Sequence, residues 1–336
     1  MHERPRTPDD KNGESRPETL SRREFLIHSG RALFLGVLSA SIVGSELRHA
    51  LAAEVKEGDS LPEGLRRLRK ETLTAYEEQF ALHITRNDGS SGWENGWGES
   101  GGTTAMISLD SVDEIIAQKP RQLLIAHTHP VVGAYYARVI SSEESKRIRE
   151  SENPHLSIPP SFQDIMSAVG FEARYSNTET KIENAAIDPW GVWKFEVDAG
   201  HPFAHDVLKR KQALESGVRK LDANKSVERF KSNDGDFFAL PPATKEEFLL
   251  VLETRALGTI DEEARAIVGE TLTLLRDFEI RYKKTFDALN TRALEYMKKS
   301  ALEAPREEDA ATMAKEYAAL GAHVSFTPFH AIESSR

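Results

Sequence analysis

The segment between Pro120 and Pro130 constrains this chain more than any other. Leu123-Leu124-Ile125-Ala126 is a short, continuous apolar run with a proline on each side, the pattern of a buried strand. It predicts a strand over Gln122–His127. The run ends on His127-Thr128-His129-Pro130. Side chains two apart on a strand point to the same face, so both imidazoles can converge on one point where the sheet ends.

The surroundings read as a mixture of helices and strands. Residues 54–75 are charged and helix-favouring, with Leu65, Leu68 and Leu73 among Arg, Lys and Glu. Phe80–Thr85 is strand-like and stops at Asn87-Asp88-Gly89, a strong turn signal. From Gly92 to Gly102 a Gly-rich loop carries Trp93 and Trp97, and a short strand is predicted at Thr103–Leu109. A helix opens at Asp110 or Ser111 and ends near Gln118, before Pro120. A second helix opens at Ser161 and runs to about Val169. Two or three strands fall within 172–198, with Asp188-Pro189-Trp190-Gly191 turning into the alternating Val192–Val197.

From His201 to Tyr317 the chain reads as helical, with a final strand at His323–Phe326. A shorter helix starts at Thr244, with Glu247 completing a capping box, and ends near Gly258. Leu272, Leu275, Phe278, Tyr282, Phe286, Leu289, Ala293 and Met297 recur at steps of three or four, one apolar stripe on one long helix. That stripe is core or a partner-facing coiled coil, which makes self-association through the 260–300 helix an option.

At the N-terminus, residues 1–20 are polar and rich in Pro, Asp, Glu and Arg, and are expected to be disordered. Ser21-Arg22-Arg23-Glu24-Phe25-Leu26 follows, then the apolar stretch Ala32–Gly44 and the small-x-small site Ala50-Leu51-Ala52. As a helix that stretch is about 20 Å long, too short for a stable bilayer span. The order resembles a twin-arginine export signal, at every quoted position. It implies cleavage near Ala53, passage through the twin-arginine translocation machinery and residence in the periplasm or outside the cell; retention as an uncleaved anchor is the rival.

Residues 53–336 suffice for one large domain or two ordinary ones. Acidic residues number 54 against 44 basic, the pI is near 5.7, and no basic stripe stands out, so nucleic acid is not an expected partner. A mean hydropathy of -0.48 describes a soluble globular protein with long exposed helices. Cysteine is absent, which excludes thiol catalysis and all-Cys metal sites and is compatible with an oxidising exterior.

His-x-His at the end of a strand is a way to supply two ligands of a zinc ion, with Zn–N near 2.0–2.1 Å. The second piece is Pro159-Pro160-Ser161-Phe162-Gln163-Asp164-Ile165. Ser161 is the expected N-cap and Asp164 falls one turn on, so both lie on one face near the positive helix end. By itself this also reads as a plain capping box.

Together, His-x-His-Pro, then Pro-Ser-x-x-Asp, after an upstream glutamate, resembles the JAMM/MPN metallopeptidases over roughly residues 65–198. The resemblance implies an α+β, JAMM-like (cytidine-deaminase-like) fold with a mixed sheet at residues 54–200, followed by a helical region at 201–336 that shields the site or binds a partner. It implies Zn2+ held by His127, His129 and Asp164, with Ser161 steadying the water or the oxyanion and an upstream glutamate as general acid/base. Glu78-Gln79-Phe80-Ala81-Leu82 fits the family's Glu-x-x-Gly-Leu with alanine in place of glycine; Glu77 and Glu99 are the alternatives to Glu78.

Asp164 follows His129 at a much greater distance than is usual in that family, the extra residues being the charged segment 131–158. That insertion can pack as its own helix and gate the site as a lid, or displace Asp164 with His155, Glu143 or Glu144 as a ligand. The implied activity is hydrolysis of a peptide or isopeptide bond in a peptide or protein substrate. The alternatives are a non-catalytic scaffold acting through the long helix, and hydrolysis of a non-peptide amide by the same site. His201 and His205 lack the His-Glu-x-x-His pattern and read as capping or surface residues. Trp93 and Trp97 can either grip substrate or anchor their loop on the core.

Overall fold

The computed structural model describes residues 58–75, 78–95, 109–221 and 262–334. The export-signal segment, Glu77, Trp97, Glu99, the strand expected over 103–108 and the helix expected from Thr244 to Gly258 lie outside the described residues. The described elements are α1 (Leu61–Thr74), β1 (Phe80–Thr85), β2 (Ser91–Asn95), α2 (Leu109–Ala117), β3 (Gln122–Thr128), α3 (Val131–Tyr136), α4 (Ser142–Glu150), α5 (Phe162–Tyr175), β4 (Lys181–Ile187), β5 (Gly191–Val197), α6 (Pro202–Leu221), α7 (Glu262–Leu302), α8 (Glu307–Glu316), β6 (Ala322–Pro328) and α9 (Phe329–Ser334). The architecture is α+β.

The six described strands form one mixed sheet in the order β2-β1-β3-β4-β5-β6. Only β3 and β4 run parallel; the other neighbours are antiparallel. β3 sits inside the sheet and is covered on both faces, which is why Leu123, Leu124, Ile125 and Ala126 are all buried and no polar residue interrupts them. One face packs Leu124, Ala126, Ala185 and Ile187 against Leu65 and Leu68 of α1 and Phe329 of α9. On the other face, Leu123, Ile125 and Ile182 meet α2 and the end of α5. Further along that face, Ala186, Trp193 and Phe195 meet α5, α6, α7 and α8.

Two elements differ from the sequence expectation. Ser91–Asn95, expected as the start of a Gly-rich loop, is a strand, because the tight turn at Asn87-Asp88-Gly89 returns the chain alongside β1; Gly89 takes the positive φ of 86° that the turn needs. No strand begins at 172, since α5 continues through Gly170 to Tyr175 with its apolar face buried on the sheet. The final strand expected at His323–Phe326 is present and slightly longer: β6 pairs along the whole of β5, from Gly191↔Pro328 to Val197↔Ala322.

The long stripe belongs to the chain's own core. Leu272, Leu275, Phe278, Tyr282, Leu289, Ala293 and Met297 of α7 are all buried. The insertion is packed too. Residues of 131–158 form a cluster with Met297 and Ala301 of α7, Arg149 donates to the Leu73 carbonyl of α1 (2.7 Å) and Arg147 to that of Ala301 (3.1 Å). α4 is a bridge between α1 and α7. Among the described residues no helix is long and apolar enough to cross a membrane.

Candidate metal centre

The ladder of β3 carries past its last residue. The His129 N–H donates to the Ile187 carbonyl at the end of β4 (2.7 Å), so His127 and His129 keep strand geometry and present their rings to one side. Their Nε2 atoms are 3.0 Å apart. His127 is flanked by the rings of Phe80 (5.4 Å) and Phe195 (6.4 Å), an apolar wall that limits its freedom.

Asp164 completes the triangle. Its Oδ1 lies 3.1 Å from His127 Nε2 and its Oδ2 3.3 Å from His129 Nε2. A tetrahedral ion with ligands at 2.0–2.1 Å has ligand atoms roughly 3.3 Å apart. The two imidazole nitrogens, 3.0 Å apart, stand near that spacing, and each lies at a similar distance (3.1 and 3.3 Å) from one carboxylate oxygen of Asp164. These residues are therefore a group that could hold a metal ion, and the donor set of two imidazoles and one carboxylate suits a divalent transition ion.

The capping box and the ligand are the same residues. Ser161 Oγ accepts the Asp164 N–H (3.2 Å), and the Asp164 carboxylate accepts the Ser161 N–H. Helix α5 thus fixes Asp164 at its first turn, aimed out of the helix end towards the histidines. The ring of His129 is fixed from behind: its Nδ1 lies 3.0 Å from the Ile158 carbonyl, which accepts an Nδ1–H and leaves Nε2 facing Asp164.

Glu78 lies two residues before the first residue of β1. Thr128 N–H donates to the Gln79 carbonyl (2.9 Å) and Gln79 N–H to Thr128 Oγ1 (2.8 Å), so Glu78 is carried to the end of β3 where the histidines are. Burial pushes its carboxyl above the usual carboxylate range, against the pull of the His127 and His129 charges. At His129 burial lowers the pKa, but the bonded Asp164 carboxylate and the Glu78 charge outweigh it and hold the ring at about 9. Burial also opposes ionisation of Asp164; the two histidines overcome it and hold the carboxyl well below its usual range.

The other candidates stand elsewhere. His155 Nδ1 is engaged with the Ser300 carbonyl (2.6 Å), Glu144 caps α4 by accepting from Ser141 N–H (2.7 Å), and Glu143 is exposed. His201 Nδ1 accepts the Phe203 N–H (3.2 Å) at the start of α6, a capping role. Trp93 is an anchor: it is 1 % exposed, and its indole N–H donates to the Ser60 carbonyl (3.2 Å). Two residues the sequence did not single out matter here, Thr128 and Ile158. Thr128 sits between the histidines, a visible position; Ile158 acts through its backbone, which leaves no signature in side-chain type.

Comparison with family models, with characterised proteins and with solved structures finds no match.

Proposed function

We propose that this protein is a zinc-dependent hydrolase of the JAMM type, cleaving a peptide or isopeptide bond, with His127, His129 and Asp164 as ligands and Glu78 as general acid/base. The observation that carries the reading is the group of His127, His129 and Asp164 with the half-buried Glu78 beside it, at the end of the inner strand β3. The order of parts also agrees: glutamate, strand, turn, strand, helix, His-x-His strand, then the Ser-x-x-Asp helix beside a parallel strand.

A zinc ion held there supplies Lewis-acid polarisation of water and of the scissile carbonyl. Glu78 would take a proton from the attacking water at its carboxylate and pass it to the leaving amine. A partly desolvated carboxylate with a raised pKa is suited to that double role near neutral pH. Ser161 Oγ accepts from Asp164 N–H, and its own proton is free to be donated to an oxyanion. In keeping with the sequence reading, the activity is placed outside the cytoplasm after twin-arginine export.

The test is metal analysis joined to two variants. Purified protein should hold one zinc per chain; His127→Ala should lose it. Glu78→Gln should keep zinc and lose peptide hydrolysis by a factor on the order of 10² to 10⁴. A folded wild-type protein that takes up no metal would overturn the reading, and undiminished turnover by Glu78→Gln would remove Glu78 from the mechanism.

A further inference from the structure

We propose that Asp188 is a positioning residue for the metal site, holding the His129 ring in its ligating orientation through the backbone of Ser157 and Ile158; this rests on the reading of the metal site given above.

Asp188 is 0 % exposed and lies in the turn between β4 and β5. Its Oδ1 accepts the Trp190 N–H (2.8 Å) and the Gly191 N–H (2.6 Å). Those two bonds shape the turn, and an asparagine makes such turns as well. Its Oδ2 reaches out of the turn. It accepts the Ser157 hydroxyl (2.7 Å), the Ile158 N–H (2.7 Å) and the Trp193 indole N–H (2.9 Å). Four of the five partners are N–H groups that can only donate, so both oxygens must be acceptors, and of the residues that form this turn only a carboxylate provides that. Burying a carboxylate is costly unless its bonds are made. Turn geometry alone does not account for the three bonds on Oδ2.

One of those bonds leads on to the metal site. Ile158 gives its N–H to Asp188 and its carbonyl to His129 Nδ1. The line from Asp188 to Ile158 to His129 therefore sets where the ring sits. The strap has a second hold: Ser157 N–H donates to Ser300 Oγ of α7 (3.0 Å), and the Tyr317 hydroxyl donates to the Pro160 carbonyl just before Ser161. Residues from the insertion, from the β4–β5 turn and from the C-terminal helices thus meet behind one imidazole.

The experiment uses the full chain and reads metal binding rather than turnover. Zn2+ affinity is measured by chelator competition, and the Co2+ form by its visible spectrum, for wild type, Asp188→Asn, Ser157→Ala and, as a control, Thr180→Ala. Thr180 is buried and bonded to the Pro120 carbonyl (2.8 Å), at the end of β3 and β4 opposite His129 and Asp188; its loss is expected to destabilise the fold without touching the line to His129. Asp188→Asn is expected to weaken Zn2+ binding by about 10–100-fold and to shift the Co2+ bands, and Ser157→Ala to weaken it by about tenfold, while Thr180→Ala leaves both unchanged. Wild-type affinity and spectrum in Asp188→Asn and Ser157→Ala would overturn the proposal while leaving the metal site standing. Equal weakening in Thr180→Ala would overturn it too, as a mere stability effect. If Asp188→Asn does not fold, Ser157→Ala decides by the same criteria. A wild-type chain that binds neither ion sinks the metal-site reading itself, before any variant is made.

Discussion

Gln79 and Thr128 bond to each other in both directions, Thr128 N–H to the Gln79 carbonyl at 2.9 Å and Gln79 N–H to Thr128 Oγ1 at 2.8 Å. The residue between the two histidines therefore holds the residue after Glu78. Thr128→Val keeps the shape and removes the acceptor, leaving the Gln79 N–H unpaired, at a cost of about 1–3 kcal/mol. The expected outcome is a lower Tm with full zinc content, and a loss in kcat rather than KM as Glu78 loosens. Unchanged kcat in a folded Thr128→Val protein would show that Glu78 does not depend on this clamp.

Ser161 caps α5, and its backbone N–H holds the carboxylate of the ligand Asp164. Ser161→Ala removes the acceptor for the Asp164 N–H, a cap loss of about 1 kcal/mol. Asp164 keeps its bond from the Ser161 N–H, so zinc should stay. Loss of an oxyanion donor is expected to lower kcat by about 10²-fold. Steady-state kinetics alongside metal content checks both halves, and a drop in kcat no larger than the drop in folded fraction would leave Ser161 as a cap only.

His129 has a folded pKa of about 9 against an ordinary 6.5. A raised folded pKa contributes stability that is complete below about 6.5 and lost as pH rises through about 9. In chelator-treated protein, chemical denaturation should show stability falling over that window by no more than about 3 kcal/mol, and His129→Gln should flatten the fall. Because an entering ion must displace that proton, apparent zinc affinity should rise with pH across the same window. Titration calorimetry in buffers of different ionisation enthalpy reads the released proton directly.

Gly64 of α1 lies against Trp93. A Cβ at that position would meet the indole at 2.1 Å, and the ring cannot retreat because its N–H is bonded to Ser60. Gly64→Ala is expected to destabilise the fold by about 1–3 kcal/mol through overpacking. Trp93→Ala leaves a cavity costing about 3–5 kcal/mol. Both should lower Tm with zinc affinity intact; a change in peptide specificity with Tm unaltered would give Trp93 a role in substrate contact instead.

Much of this molecule is legible along the chain because its signals are local. The apolar run of β3, the His-x-His at its end, the Ser161–Asp164 box, the turn at Asn87-Asp88-Gly89 and the stripe of α7 each need only a few neighbouring residues to be recognised. Where expectation and structure part, the missing information is contact. Gly92 and Trp93 look like loop in isolation and become strand once β1 is alongside. α5 outruns its expected end because the sheet buries its far turns.

The sequence alone determined the two histidines' common face, since alternation on a strand is a property of the backbone. It also determined that Asp164 lies in the first turn of a helix, since a capping box spans only four consecutive positions. Tertiary structure alone decided that Asp164 meets the histidines across the insertion, and that Asp188, Ser157 and Ile158 stand behind His129. Joining residues so far apart depends on burial shared by α1, α5, α7 and the sheet, and burial is a property of the packed whole.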